Sequence, residues 1–238
     1  MRAILFDLDG TLLDIELSGF LRAYFDALGR AASARFPGVD VLAGVLASTE
    51  VMQRSHPGLT NEEAFTADFR GRTGIDLGLE EHARVFEEFY RDVFPTLGAD
   101  YGPAKGGRRA VETALANDLR VVIATQPIFP RAAIEHRLAW AGLSDLPLDQ
   151  LTTYERMHAC KPAAEYFREA AAMAGCEPSE CLMVGDDRSL DMPAADIGMR
   201  TFYAGAGTAQ ADWRGDLDDL ADLIPRLAPA SEAFGGLG

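Results

Sequence analysis

Lysine is nearly absent from this chain: Lys105 and Lys161 stand against 20 arginines. A general bias towards arginine explains the ratio but not which two sites stayed lysine. The two side chains are not interchangeable, because lysine is a compact point charge and arginine a planar fork. Cysteine is also scarce. Cys160, Cys176 and Cys181 are odd in number and all fall in the last third. That excludes a disulfide framework and suits a reducing cytoplasm, the location expected here. Long apolar runs are missing. The longest stretch free of Asp, Glu, Lys and Arg is Thr201 to Ala211, far short of the roughly 20 residues that span a bilayer. Asp7 and Asp9 cut short the apolar run of MRAILFDLDG, so no signal peptide is expected. Positive charge is outnumbered, 22 Lys+Arg against 37 Asp+Glu, for a net charge of −15. Repulsion at long range opposes polyanions, so neither a nucleic acid nor a membrane is expected as a partner. A phosphate-bearing ligand has to be small and met by local positive charge or metal.

What is present is ordinary globular composition, with 48% of the 238 residues hydrophobic and 25% charged. The length suits one domain, or one domain carrying an insertion, whose core needs no staples. RAILFD, ending at Asp7, reads as a buried strand followed by a tight loop over Leu8-Asp9-Gly10-Thr11. Four helical stretches come next: Glu16 to about Arg35, Val41 to Arg54, Asn61 to Arg72 and Glu80 to Phe94. They are separated by Pro37-Gly38, Pro57-Gly58 and Gly74 to Gly78. Thr60 or Asn61 is the expected N-cap of the third. No strand is legible between Asp14 and Gly102. Beyond Pro103 the rhythm becomes alternating. Strands are expected at Arg120–Thr125, Gln150–Thr153, Cys181–Gly185 and Arg200–Ala204. Helices are expected at Gly107–Asn117, Arg131–Ala141, Pro162–Ala174 (with Pro at its first position) and Asp216–Leu227. This is the pattern of an α/β fold, a Rossmann-like parallel sheet with helices on both faces. Residues 1–14 and 103–238 form its core and 15–102 an all-α insertion. The small-residue tail Ala228–Gly238 is expected to be loose.

Ligands of such sheets bind beyond the carboxyl ends of the strands. At those ends the sequence places Asp7 and Asp9, Thr125, Asp186 and Asp187, and Asp191, with Lys161 just before a helix. Clustered carboxylates repel one another unless a cation sits among them. A hard divalent ion with oxygen ligands is the natural solution, and Mg²⁺ combines a few protein ligands with waters and a phosphate oxygen. Asp7, held by a buried strand, is placed as a nucleophile that forms an aspartyl-phosphate. Asp9 is placed to protonate the leaving oxygen and then activate water. Gly10 allows a sharp turn that lets backbone N–H groups face phosphoryl oxygens. Thr125 can donate to one of those oxygens, and Lys161 can neutralise charge shared by nucleophile and transferred group. Asp186 completes the metal shell, with Asp191 or Asp187 ordering a ligand or water behind it.

The constellation resembles the haloacid dehalogenase superfamily. The matching residues are Asp7-Leu8-Asp9-Gly10-Thr11, Thr125 after VVIA, Lys161-Pro162, and Gly185-Asp186-Asp187-Arg188-Ser189-Leu190-Asp191. The four motifs occur in order and the likeness covers essentially the whole chain, with residues 15–102 resembling that family's helical cap. The resemblance implies a Rossmann-like core, Mg²⁺ dependence and hydrolysis of a small phosphorylated metabolite. It implies Asp7, Asp9, Asp186 and Asp191 as the metal set, Asp9 through its backbone carbonyl. One residue departs: Gln126 stands where the family has Asn, and it is given no catalytic role.

Other readings are weighed beside this one. A sugar phosphomutase would keep the aspartyl-phosphate and hand it to a second hydroxyl. A silent binding protein on the same fold would be expected to have lost Asp7, Asp9 or Lys161. Metal-free dehalogenases lack the second Asp, and phosphonatases need a cap lysine, of which residues 12–104 have none. His158 with Cys160, Tyr154 with Glu155, and the insertion residues Arg54, His56, Arg70 and Arg72 are weaker candidates, each more simply loop or solvated helix face.

Overall fold

The computed structural model describes residues 1–148 and 150–228, so the tail expected to be loose lies, beyond Ala228, outside the described residues. The chain opens with β1 (Ala3–Phe6), and β2 (Leu13–Asp14) follows the Asp-rich loop. Four helices come next: α1 (Leu17–Arg35), α2 (Val41–Met52), α3 (Asn61–Thr73) and α4 (Glu80–Glu88). β3 (Gly102–Pro103) then pairs antiparallel with β2. This two-residue ladder closes the neck of the helical segment, and it is too short to leave any alternation in the sequence. The remainder is α5 (Gly107–Ala116), β4 (Arg120–Ile123), α6 (Arg131–Trp140), α7 (Ala164–Met173), β5 (Cys181–Gly185), β6 (Arg200–Tyr203), β7 (Trp213–Arg214) and α8 (Leu217–Leu227).

Five strands form one parallel sheet in the order β4-β1-β5-β6-β7. β1 lies inside the sheet, between β4 and β5, and is buried along its whole length. Its side chains alternate between two apolar layers, as strand geometry requires. Ile4 and Phe6 join the larger layer, and Ala3 and Leu5 join the layer under α7 with Tyr166 and Phe167. Both faces are therefore covered, as parallel sheets demand. Phe6 lies opposite Ile123 on one side and Val184 on the other. The ladder continues one step past each strand: Asp7 N donates to Val184 O at 2.8 Å and Ala124 N to Phe6 O at 2.7 Å. That register brings Asp7, Thr125 and Asp186 out at one edge. Because β1 sits between β4 and β5, this edge is also where the strand order reverses, the usual crevice of open α/β sheets.

The helical segment is fastened to this core by packing and by polar ties. Phe20, Tyr24 and Leu28, spaced by four on α1, are all buried. Phe20 meets Trp140 of α6 at 6.0 Å and Tyr24 meets Phe129 at 5.3 Å, both edge-on. The larger apolar layer runs without a break from the sheet into α1 and α2. Thr60, not Asn61, caps α3, in a capping box closed by Glu63. Asn61 is instead buried and donates to Pro127 O at 2.9 Å.

Three element expectations need correction. The helix expected over Glu80–Phe94 stops at Glu88 and continues as a π turn (Phe89–Val93) and a 3₁₀ turn (Phe94–Gly98). The i→i+5 bond from Phe94 N to Phe89 O puts two buried rings on one face, and Pro95 stands in the first turn of the 3₁₀ segment. The strand expected at Gln150–Thr153 is a single bridge, Leu151 to Ile123. After it the N–H groups of Arg156 and Met157 turn back to Thr153 O. Pro162 does not begin a helix. Its bond to Lys161 is cis, Ala163 keeps an extended backbone, and α7 starts at Ala164.

Candidate active site

Asp7, at the end of β1, accepts from Lys161 Nζ through Oδ1 at 2.6 Å. The same ammonium donates to Asp191 Oδ1 at 2.6 Å. Lys161 is only 4% exposed, so this is a buried triad rather than a surface pair. Burial alone would lower the lysine pKa, but Asp191 and Asp7 outweigh it and hold the ammonium above its usual range. Burial pushes the Asp191 carboxyl up and Lys161 opposes that. Thr11 Oγ1 lies 2.8 Å from Asp186 Oδ1 and 3.2 Å from Asp7 Oδ2, and ties the first loop to the last. Burial, then the charge of Asp7, raises the Asp186 carboxyl.

Asp7, Asp186 and Asp191 each offer a carboxylate oxygen within 4.8 Å of the others. Three carboxylates beside one ammonium leave two negative charges uncompensated, and the donors are all hard oxygens. The set fits a hard divalent cation. Two glycines permit the approach. Gly10 has φ 87°, and a Cβ there would meet Asp186 Oδ2 at 2.5 Å. A Cβ on Gly185 would collide with the Asp191 carboxylate.

The expected residues Asp7, Asp9, Gly10, Thr125, Lys161, Asp186 and Asp191 all line one cavity of about 180 Å³. Thr125 is buried, and its carbonyl accepts from Thr152 Oγ1 at 2.7 Å and Tyr166 Oη at 2.9 Å, which fixes the loop. Gly10 and Asp9 have partners that the sequence did not indicate. The N–H of Gly10 donates to Leu13 O at 2.9 Å, so it is not free for a phosphoryl oxygen; the turn and the approach to Asp186 are what Gly10 supplies. Asp9 shares the cavity, but its carboxylate stands outside the three-carboxylate group and is paired with Arg137 on α6. Burial pushes the Asp9 carboxyl up and Arg137 opposes it.

The structure also gives parts to residues the sequence left open. Gln126 Oε1 accepts from Lys161 N at 2.9 Å, and its Nε2 donates to Lys161 O at 3.2 Å. The longer amide therefore brackets the lysine backbone. Asp187 turns its Oδ1 to the N–H groups of Ser189 and Leu190, and its own N–H donates to Asp191 Oδ2 at 3.0 Å. It shapes the loop that aims Asp191. Asp191 stands at the start of a 3₁₀ turn but makes no side-chain cap there. Arg137, which reaches the site through its ion pair with Asp9, was not foreseen from the sequence. Its signal is positional: it shares the buried face of α6 with Ala133, Ile134 and Leu138, where a charge needs a partner.

The weaker candidates are not brought in. His158 pairs with Glu169 at 3.3 Å, while Cys160 is buried against Met52 and Asn61. Arg54, Arg70 and Arg72 pair with Glu50, Asp76 and Asp68. His56 bonds the carbonyls of Met52 and Leu59. Tyr154 and Glu155 line a wider cleft of about 900 Å³ between the helical segment and the core, which the carboxylates do not reach.

A model of the haloacid dehalogenase-like hydrolases matches residues 1–196, and the chain belongs to that family. It is 27% identical to a phosphoglycolate phosphatase of Cupriavidus necator over 241 aligned positions, 96% of each chain. It is 27% identical to the pyrophosphatase PpaX of Bacillus velezensis over 200, covering 84% of this chain and 81% of that one. Among solved structures, a HAD phosphatase from Thermococcus onnurineus shares the fold with a TM-score of 0.57 and 23% identity, covering 94% of this chain and 98% of that one. Among the described residues no helix is long and apolar enough to cross a membrane.

Proposed function

We propose that the chain is a Mg²⁺-dependent phosphatase of a small cytosolic phosphomonoester and works through an aspartyl-phosphate on Asp7. The observation that carries this is the buried Asp7–Lys161–Asp191 triad with Asp186 beside it. Family membership and two phosphatase-named relatives support it. Asp7, Asp186 and Asp191 would hold Mg²⁺, with the Asp9 backbone carbonyl. The ion when bound supplies charge neutralisation for the phosphoryl group.

The side chains of this chain do the rest. Asp7 attacks phosphorus, and the leaving oxygen departs with a proton from Asp9. In the second half Asp9 takes a proton from water, which attacks phosphorus and releases Asp7. Lys161 stabilises charge on Asp7 and on the transferred group, and Thr125 donates to a phosphoryl oxygen. Residues 15–102 act as a cap on the core of 1–14 and 103–238, excluding water and selecting the substrate. Ile15 and Leu17, at the start of the helical segment, already form part of the cavity wall.

The test is phosphate release from p-nitrophenyl phosphate and a panel of phosphomonoesters, with Mg²⁺ and with chelator. Release that needs Mg²⁺ and disappears in Asp7→Asn is expected. Full release by Asp7→Asn would remove the nucleophile. Isomerised sugar phosphate without free phosphate would favour a mutase instead.

A further inference from the structure

We infer that Arg137 is the positioning residue of the acid/base Asp9, an assignment that rests on the function proposed above. Arg137 is 1% exposed on the apolar face of α6. Its guanidinium lies 4.6 Å from the centre of the Phe129 ring, and Nε donates to Ala133 O at 3.4 Å. Its carboxylate partner is Asp9, reached by Nη1 to Oδ2. Burying a guanidinium here is costly, and a buried ion pair is weak evidence for a role in stability, because replacing both partners by apolar residues is often neutral. A buried charge whose ion pair is with an active-site carboxylate therefore points to a task at that carboxylate.

The pairing is also incomplete. Arginine and carboxylate often meet through two parallel bonds. Here one bond is made, and Asp9 Oδ1 and Arg137 Nη2 are buried with no partner. Unpartnered buried polar atoms in a folded protein ask for a reason, and a catalytic carboxylate supplies one. Arg137 holds Oδ2 and fixes the plane of the carboxyl group, and Oδ1 is the oxygen left to carry the proton. That proton passes from Oδ1 to the leaving oxygen as the O–P bond to Asp7 forms and the bond to the leaving group breaks. Oδ1 regains a proton from water as water's oxygen bonds phosphorus and Asp7 is released.

The test compares two esters of similar shape in the first turnover with Mg²⁺ present. p-Nitrophenolate leaves without a proton at neutral pH, and the phenolate of phenyl phosphate needs one. Asp9→Asn and Arg137→Met are both expected to lose about tenfold or more extra rate on phenyl phosphate, within the range general acids contribute. KM is expected to hold within about twofold, since Arg137 acts on the transition state and not on binding. Arg137→Lys should recover part of the lost selectivity. Asp9→Asn combined with Arg137→Met should lose no more than Asp9→Asn alone. The rate ratio is read within one sample, so a partly unfolded variant does not distort it. Equal losses on both esters in Arg137→Met, or losses that multiply in the double variant, would overturn the inference alone. An unchanged ratio in Asp9→Asn would instead remove the acid/base role proposed for Asp9.

Discussion

The contacts of Lys161 show why this position is lysine in a chain whose usual cation is arginine. A compact point charge can touch Asp7 and Asp191 at 2.6 Å each, where a planar fork would impose its own spacing. Removing it leaves two buried carboxylates facing each other. Lys161→Met is therefore expected to destabilise the metal-free protein by about 3–5 kcal/mol and to lower turnover by at least about a hundredfold. Urea unfolding and steady-state kinetics check the two halves, and a variant with unchanged turnover would contradict the assignment. At this scale the Asp, Thr and Lys residues were legible because each sits at a strand end or just before a helix, where local pattern and chemistry agree. Gln126 and Arg137 were not. Their parts depend on partners 35 and 128 residues away, and no local pattern reports such pairs. Gly10 was half legible: its turn was foreseen, but its N–H goes to Leu13.

Helices and strands were read to within a residue or two wherever a cap or a β-branched run marked them. The capping box at Thr60 and the four-residue spacing on α1 are local signals. The failures come from tertiary demands. Beyond Glu88 the chain has to put Phe89 and Phe94 on one face, and an α-helix sets residues five apart on different faces. The π turn restores the phase. Phe94 then stacks on Trp140 at 5.4 Å and meets Phe20 at 5.9 Å, so it joins helical segment to core. Phe94→Ala is expected to cost about 3–5 kcal/mol, read by denaturant midpoint. A loss below about 1 kcal/mol, the level of an ordinary surface change, would show that the aromatic cluster does not bind the two parts together.

For the molecule as a whole, sparse cysteine and acidic charge are consistent with the interior seen. All three thiols are buried. Burial pushes Cys160 and Cys181 up to about 12, so at pH 8 both remain protonated, and the thiolate is the reactive form. Iodoacetamide at pH 8 should leave the native protein unmodified and label all three positions in urea, as intact-mass spectrometry would show. Rapid native labelling of Cys160 would mean that the contacts of Asn61 and Met52 with it open readily. The excess of acid across the surface, −15 overall, leaves any phosphate to be met locally, and the crevice at the reversal of strand order is where Lys161 and the three carboxylates meet. The central claim is that Asp7 carries the phosphoryl group. The most direct measurement mixes enzyme, Mg²⁺ and substrate rapidly, quenches, and reduces with borohydride. An aspartyl-phosphate becomes homoserine, which peptide mass spectrometry can place. Homoserine at position 7, absent with chelator, is the result predicted. Efficient phosphate release with aspartate intact at position 7 throughout the turnover would contradict it.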